Sequence, residues 1–290
     1  MKSILITGGQ GYIGQQLVSS LLEDKAHVTV VDRNSKPACM AQVFYPQECE
    51  LFFLQQQMYF NLPNLADVLG LATQFDHVVH LAHGHIDSPV FDASEIAANY
   101  RTLISILEYS RISKTPILVV LPSASLYPHA QLDLNQSEQL VKFYVDEHHI
   151  DAKILRMVHV FGPGELRLNR PTSITWQIKN AIINGETVDL TKCNTNVQQY
   201  VHVFDAVRCI KHLIFDEVKG LVFDSSNTSP LVPYDKIIEG LHFTGVRIEN
   251  RSSGASLSSE NTFENPPNWK PKICLDRHLH DWMIAGCPVD

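Results

Sequence analysis

Three glycines, Gly8, Gly11 and Gly14, stand between a short apolar run (Lys2 to Thr7) and a helical pattern (Ile13, Leu17, Val18, Leu21, Leu22). A strand, a glycine turn and a helix N-terminus in that order make an anion site. Backbone N–H groups and the positive end of the helix dipole face a pyrophosphate, and glycine lets the chain approach it closely. A second strand, His27 to Val31, ends in Asp32, a carboxylate placed about twenty residues on to bond both hydroxyls of an adenosine ribose. The spacing predicts a dinucleotide. Asp32 favours NAD, because a carboxylate repels a 2′-phosphate, whereas the adjacent Arg33 could neutralise one and admit NADP. His83 and His85 follow a further apolar run, at the sheet edge where ligands bind in such folds, and an imidazole there is a candidate acid/base.

Alternating short apolar runs and helical patterns must position these groups. Strands are expected near 3–7, 27–32, 50–55, 76–82 and 116–121, with helices near 12–24, 64–73, 92–112 and 133–149. That alternation implies an α/β fold, a doubly wound parallel sheet of Rossmann type with a smaller C-terminal lobe. The strand Ala152 to Met157 and the run through Gly162-Pro163-Gly164 close the compact unit. The expected dinucleotide-binding domain is 1–163, with a strand at Gln199 to Phe204, a helix near 205–216 and a strand to Asp224 packing back on it, so that 199–224 belongs with it. Residues 164–198 and 225–290 form the substrate-facing lobe, with a loose loop over 252–268.

The 290 residues carry a net charge of -8, which tells against a general nucleic-acid or membrane surface. No apolar run reaches the roughly eighteen residues of a membrane span, and the N-terminus enters a strand with no signal-peptide pattern. Six cysteines without CxxC pairing fit reduced thiols and a cytoplasmic location. No metal site is expected, since His83-Gly84-His85 is not a helical i, i+4 pair and no acidic or Cys partner is fixed.

The segments TGGQGYIG (7–14), VVDR (30–33), DHVVHLAH (76–83), Asn99, SASLYP (123–128), ILRMVHVFGPG (154–164), QYVHVFDA (199–206) and NWKPKICL (268–275) occur together in order. Together they resemble the extended short-chain dehydrogenase/reductases, the NAD-dependent epimerase/dehydratase family. The resemblance implies a nicotinamide cofactor contacted by Gly8, Gly11, Tyr12, Ile13, Gly14, Asp32, Arg33, Leu81, Ala82, His83 and Asn99. It implies redox or isomerase chemistry on sugar nucleotides or other small hydroxy and carbonyl compounds. It also implies a catalytic Ser or Thr, Tyr and Lys, the serine falling on Ser123.

The Tyr-x-x-x-Lys pair is missing. Counting back from Leu155-Arg156 puts the tyrosine position at Ala130 and the lysine position at Leu134, with Glu138 on the family's helix glutamate. None of the nine tyrosines has a lysine four residues later. Gln198 stands where sugar-nucleotide members often hold an arginine, and a neutral amide does not replace a bidentate cation. The remaining candidates for proton transfer are Ser123, His83, His85, His129 and Tyr127, with His159 also near the mouth and His80 read as structural.

Two function classes follow. One is a divergent epimerase/dehydratase-type enzyme with a non-standard acid/base. The other is a dinucleotide-binding sensor or scaffold without turnover. A homodimer is expected through the helices 92–112 and 133–149, the second carrying a stripe of Leu134, Leu140, Val141, Tyr144 and Val145.

Overall fold

The computed structural model describes residues 1–32, 51–55, 75–83, 93–122, 131–168, 173–189, 200–225, 248–249 and 265–287. Seven strands, β1 (Ser3–Thr7), β2 (His27–Asp32), β3 (Leu51–Gln55), β4 (His77–His80), β5 (Ile117–Pro122), β6 (Ala152–Met157) and β10 (Val222–Asp224), form one sheet. Their order is β10-β6-β5-β4-β1-β2-β3, and every pair is parallel. The expected Rossmann-type architecture is present. The order reverses between β1 and β4, where Thr7 pairs in register with His80, and the crevice beyond those strand ends is the natural ligand site.

Alternation along the strands sorts the core. Ile4 and Ile6 face a cluster with Leu17, Leu21 and Ile210, whereas Leu5 between them joins Leu103, Leu107, Leu134 and Val141 on the other face. Helices α1 (Tyr12–Glu23) and α5 (Val203–Phe215) cover the first face; α2 (Ala93–Ser113) and α3 (Gln131–His148) cover the second. The buried stripe of α5, Val203, Ala206, Val207, Ile210, Leu213 and Ile214, repeats at helical spacing.

Several boundaries depart from the expectation. The strand over 199–204 is the shorter β9 (Tyr200–His202), because the Nδ1 of His202 accepts the Phe204 N–H at 3.2 Å and so caps α5. β9 pairs with β7 (His159–Phe161) in a separate two-stranded sheet. The segment 164–198, for which the sequence suggested no helix, holds α4 (Ile174–Asn184), capped by Ser173 and ended by Gly185 at φ 67°. A second short pair joins β8 (Val188–Asp189) to β11 (Ile248–Glu249), and α6 (Leu275–Ile284) follows near the C-terminus.

The run before α6 straps across α5. Trp269 joins the main core, and one Asp205 carboxylate oxygen accepts the N–H groups of Lys272 at 2.7 Å and Ile273 at 2.8 Å. Arg208 donates to the Lys270 carbonyl.

The α3 stripe needs correction. Leu134, Val141 and Tyr144 are buried in the chain's own core, with Leu140 and Val145 packed against it, so this stripe covers the sheet and is not a free face. Among the described residues the large apolar side chains that α2 and α3 expose are Ile104, Ile112 and Phe143. Among the described residues no helix is long and apolar enough to cross a membrane.

Candidate active site

The turn after β1 is held by its own backbone. Gly8 lies at φ 74° and donates to the Val31 carbonyl at 2.9 Å. A Cβ there would stand 2.7 Å from the Ala82 nitrogen, so the turn rests directly on the chain leaving β4. Gly11 is different: it begins α1 at φ -69°, and an added Cβ would meet only the Gly8 carbonyl, at 3.2 Å. The N-terminus of α1 carries neither a side-chain cap nor an acidic residue in its first turn, so the helix itself does not offset its positive end. Asp32 closes the cradle from the end of β2, its Oδ2 accepting the Gln10 N–H at 2.9 Å. The Tyr12 ring packs beside the Gly162-Pro163-Gly164 turn, its hydroxyl 3.2 Å from where a Gly162 Cβ would lie. An uncapped helix end, a glycine that leaves space and a carboxylate at the second strand fit NAD.

A second group of side chains gathers where β4 ends. His83 Nε2 lies 3.4 Å from Asp133 Oδ2, in the first turn of α3, and 3.4 Å from the Asn99 amide on α2. The side chains of His83 and Asp133 are only 6% and 4% exposed. The neighbouring Tyr100 hydroxyl lies 3.0 Å from the Asp133 carbonyl oxygen and 2.9 Å from Gln136 Oε1. Burial, reinforced by the Asp133 charge, pushes that phenol up to about 12, the opposite of what an activated tyrosine needs. His80 bonds Thr7 Oγ1 at 2.6 Å and is held neutral, burial lowering its pKa to about 3. It is structural, as its place in the strand implies.

Leu134, the residue the resemblance sets against the family's lysine, is 1% exposed within the core cluster. Glu138 grips Arg156 with both carboxylate oxygens, at 2.6 and 2.8 Å, tying α3 to β6. Of the remaining candidates, Arg33, His85, Ser123, Tyr127 and His129 lie outside the described residues, as do Ala130 and Gln198. His159 belongs to a different group. It is buried with Nε2 2.9 Å from Ser173 Oγ, beside a Glu165 carboxylate whose pKa burial raises. Lys179, fully buried, donates to the Gly162 carbonyl at 2.9 Å and stands 3.6 Å from Glu165, so this cluster anchors the Gly-Pro-Gly turn.

Sequence reasoning did not single out Asp133. It precedes Leu134 in a segment read only for what it had lost, and its contact with His83 spans fifty residues of chain. Lys179 and Glu165 escaped notice because charges ordinarily mark solvent faces.

The sequence profile of the NAD dependent epimerase/dehydratase family matches residues 4–223. The chain belongs to this family. With membership comes the family's cofactor, NAD, which the glycine turn and Asp32 fit. The chain is similar to a dTDP-4-dehydro-6-deoxy-D-allose reductase of a Streptomyces species, 24% identical over 243 residues, 73% of this chain and 72% of the relative. It is also similar to a probable UDP-arabinose 4-epimerase of Arabidopsis thaliana, 25% identical over 244 residues, 70% and 59% of the two chains. Among solved structures, UDP-glucose 4-epimerase of Thermotoga maritima with UDP-glucose superposes with TM-score 0.73 at 18% identity, covering 99% of this chain and all of the other. dTDP-glucose 4,6-dehydratase of Bacillus anthracis in complex with NAD superposes with TM-score 0.74 at 15% identity, covering 98% and 97%. At those identities the superpositions establish the fold.

Proposed function

We propose that the chain is an NAD-dependent oxidoreductase or isomerase acting on a sugar nucleotide or a related small hydroxy or carbonyl compound. Its acid/base is a histidine in place of the family's tyrosine and lysine. The observation that carries this reading is His83, at the end of β4 against Asn99 and Asp133. When bound, NAD supplies the two-electron exchange at carbon. The chain's own residues bind it through the 8–14 turn and Asp32, and move the proton at the substrate oxygen through His83. Ser123 polarises that oxygen by a hydrogen bond that strengthens as negative charge grows. His85, His129 and Tyr127 are the other candidates for the proton.

The names of the relatives support the substrate class, since each printed above acts on or contains a dTDP- or UDP-linked sugar. Residues 1–163 with 199–224 form the dinucleotide-binding unit; 164–198 and 225–290 form the substrate-facing lobe. The chain works in the cytoplasm as a homodimer joined through α2 and α3. Ile104, Ile112 and Phe143 support that pairing, and a monomer by light scattering at micromolar concentration would refute it.

The decisive experiment is mass spectrometry of ligands carried through purification, followed by a panel of UDP- and dTDP-hexoses, their 4-keto forms and small ketones. Turnover of one member with a redox change or epimerisation is expected. Tight NAD binding with no turnover on any of them would favour the sensor instead.

A further inference from the structure

We infer that Asp133 is the positioning residue of His83: it holds the imidazole by Nε2, so that Nδ1 is the atom that exchanges a proton with substrate. The inference rests on the proposed reading of His83 as the acid/base.

The two side chains approach from separate elements, β4's exit and the first turn of α3, and are buried together. Asp133 Oδ2 lies 3.4 Å from Nε2, whereas Asp133 Oδ1 is buried and has no hydrogen-bond partner among the described residues. Buried carboxylates normally fill their acceptor sites. The Tyr100 hydroxyl also interacts with this carboxylate, and the imidazole reaches it at Oδ2, so the single proton of a neutral His83 is drawn to Nε2. Asn99 is consistent with that tautomer. Its amide sits 3.4 Å from the same nitrogen, and turning the amide, whose nitrogen and oxygen are interchangeable by shape, offers a second acceptor to the same N–H.

Nδ1 makes no hydrogen bond to any described residue, which leaves its lone pair for a substrate hydroxyl. In the step itself the substrate O–H bond breaks, the oxygen keeps the electron pair, and an N–H bond forms at Nδ1. The imidazolium so formed stands against the buried Asp133 carboxylate, where opposite charges attract more strongly than in bulk water.

The groups facing His83 can be named element by element. Asp133 comes from α3, Asn99 and Tyr100 from α2, and His80 from β4. Asn99 has no charge to lose, His80 is neutral, and the Tyr100 phenol titrates only near 12. Among the described residues Asp133 is therefore the one charge set against the ring. Removing it should leave Nε2 without the carboxylate that fixes the ring proton there.

The test is a long-range proton–nitrogen correlation NMR spectrum of the His83 ring in the full chain, with the resonances assigned by their loss in His83→Gln. The ring proton should sit on Nε2 as a downfield resonance, bonded to the carboxylate. Asp133→Asn should move that resonance upfield or lose it to exchange, and Asp133→Glu, which keeps the carboxylate, should recover most of the change. If the acid/base reading holds, turnover in Asp133→Asn should drop by roughly ten- to a hundredfold. A ring protonated on Nδ1, or a Glu variant indistinguishable from the Asn one, would overturn the pairing, whatever the turnover. A resonance that moves as expected while His83→Gln keeps full turnover would preserve the contact and overturn the catalytic part, so the two failures are separable.

Discussion

The glycine turn is built from residues 8 to 14 and one carboxylate, Asp32, whereas the His83–Asn99–Asp133 group takes one side chain from each of three elements. The first is nearly local: its geometry follows from backbone conformation at Gly8 and from where a helix starts. The second exists only because β4, α2 and α3 converge on one sheet edge. Local constructions leave a spacing that can be read in the chain; convergent ones leave only residue types. Cofactor binding should therefore depend on backbone shape, and proton transfer on a few side-chain atoms.

The largest effects should come from the turn, and they should divide between its glycines. Gly8→Val forces a side chain into the left-handed region and onto the Ala82 backbone, so the fold itself should lose about 2–4 kcal/mol, seen as a lower unfolding midpoint in denaturant. Gly11→Val has no positive φ to strain and should unfold near the wild-type midpoint, yet lose NAD affinity by about a hundredfold or more in calorimetry. Unchanged affinity in Gly11→Val would take the cofactor away from this turn.

At the other end, His83→Gln should lower turnover by about a hundredfold while NAD affinity stays within a few-fold. Full activity in that variant, with a substrate in hand, would move the proton chemistry to His85, His129 or Tyr127. Asp32→Ala is expected to be milder. It removes a bond to the Gln10 N–H and the charge that repels a 2′-phosphate, so preference for NAD over NADP should shrink by about tenfold. A wild-type preference for NADP would show instead that Arg33 dominates.

The smallest effect concerns stability alone. Burial lifts the Asp224 carboxyl from 3.8 to about 7, against the pull of Arg156 at 3.8 Å. The folded chain therefore holds this proton where the unfolded chain has released it. The stabilisation is complete below about pH 3.8, shrinks as pH rises and is gone above about 7. Asp224→Asn keeps the neutral form at all pH, so its melting temperature should exceed the wild type's by a few degrees at pH 8 and match it near pH 4. A gain that is the same at both pH values would exclude ionisation as the cause.

Read as sequence alone, the chain discloses β1, β2, β5 and β6 almost to the residue, because apolar runs bounded by turn residues leave little choice of strand. It also discloses the glycine turn between β1 and α1. Hydrophobic periodicity and fixed spacings carry that information within a single element. Tertiary structure alone decided that Asp133 meets His83, that Trp269 returns to the main core, and that Lys179 and Glu165 are buried together under a loop. It also turned the α3 stripe inward, which periodicity could not settle, because a helix's apolar face fits its own sheet or a partner equally well. The physical reason is common to all four. A pattern along the chain states what each residue prefers to bury, and only the packing of distant elements states what lies opposite.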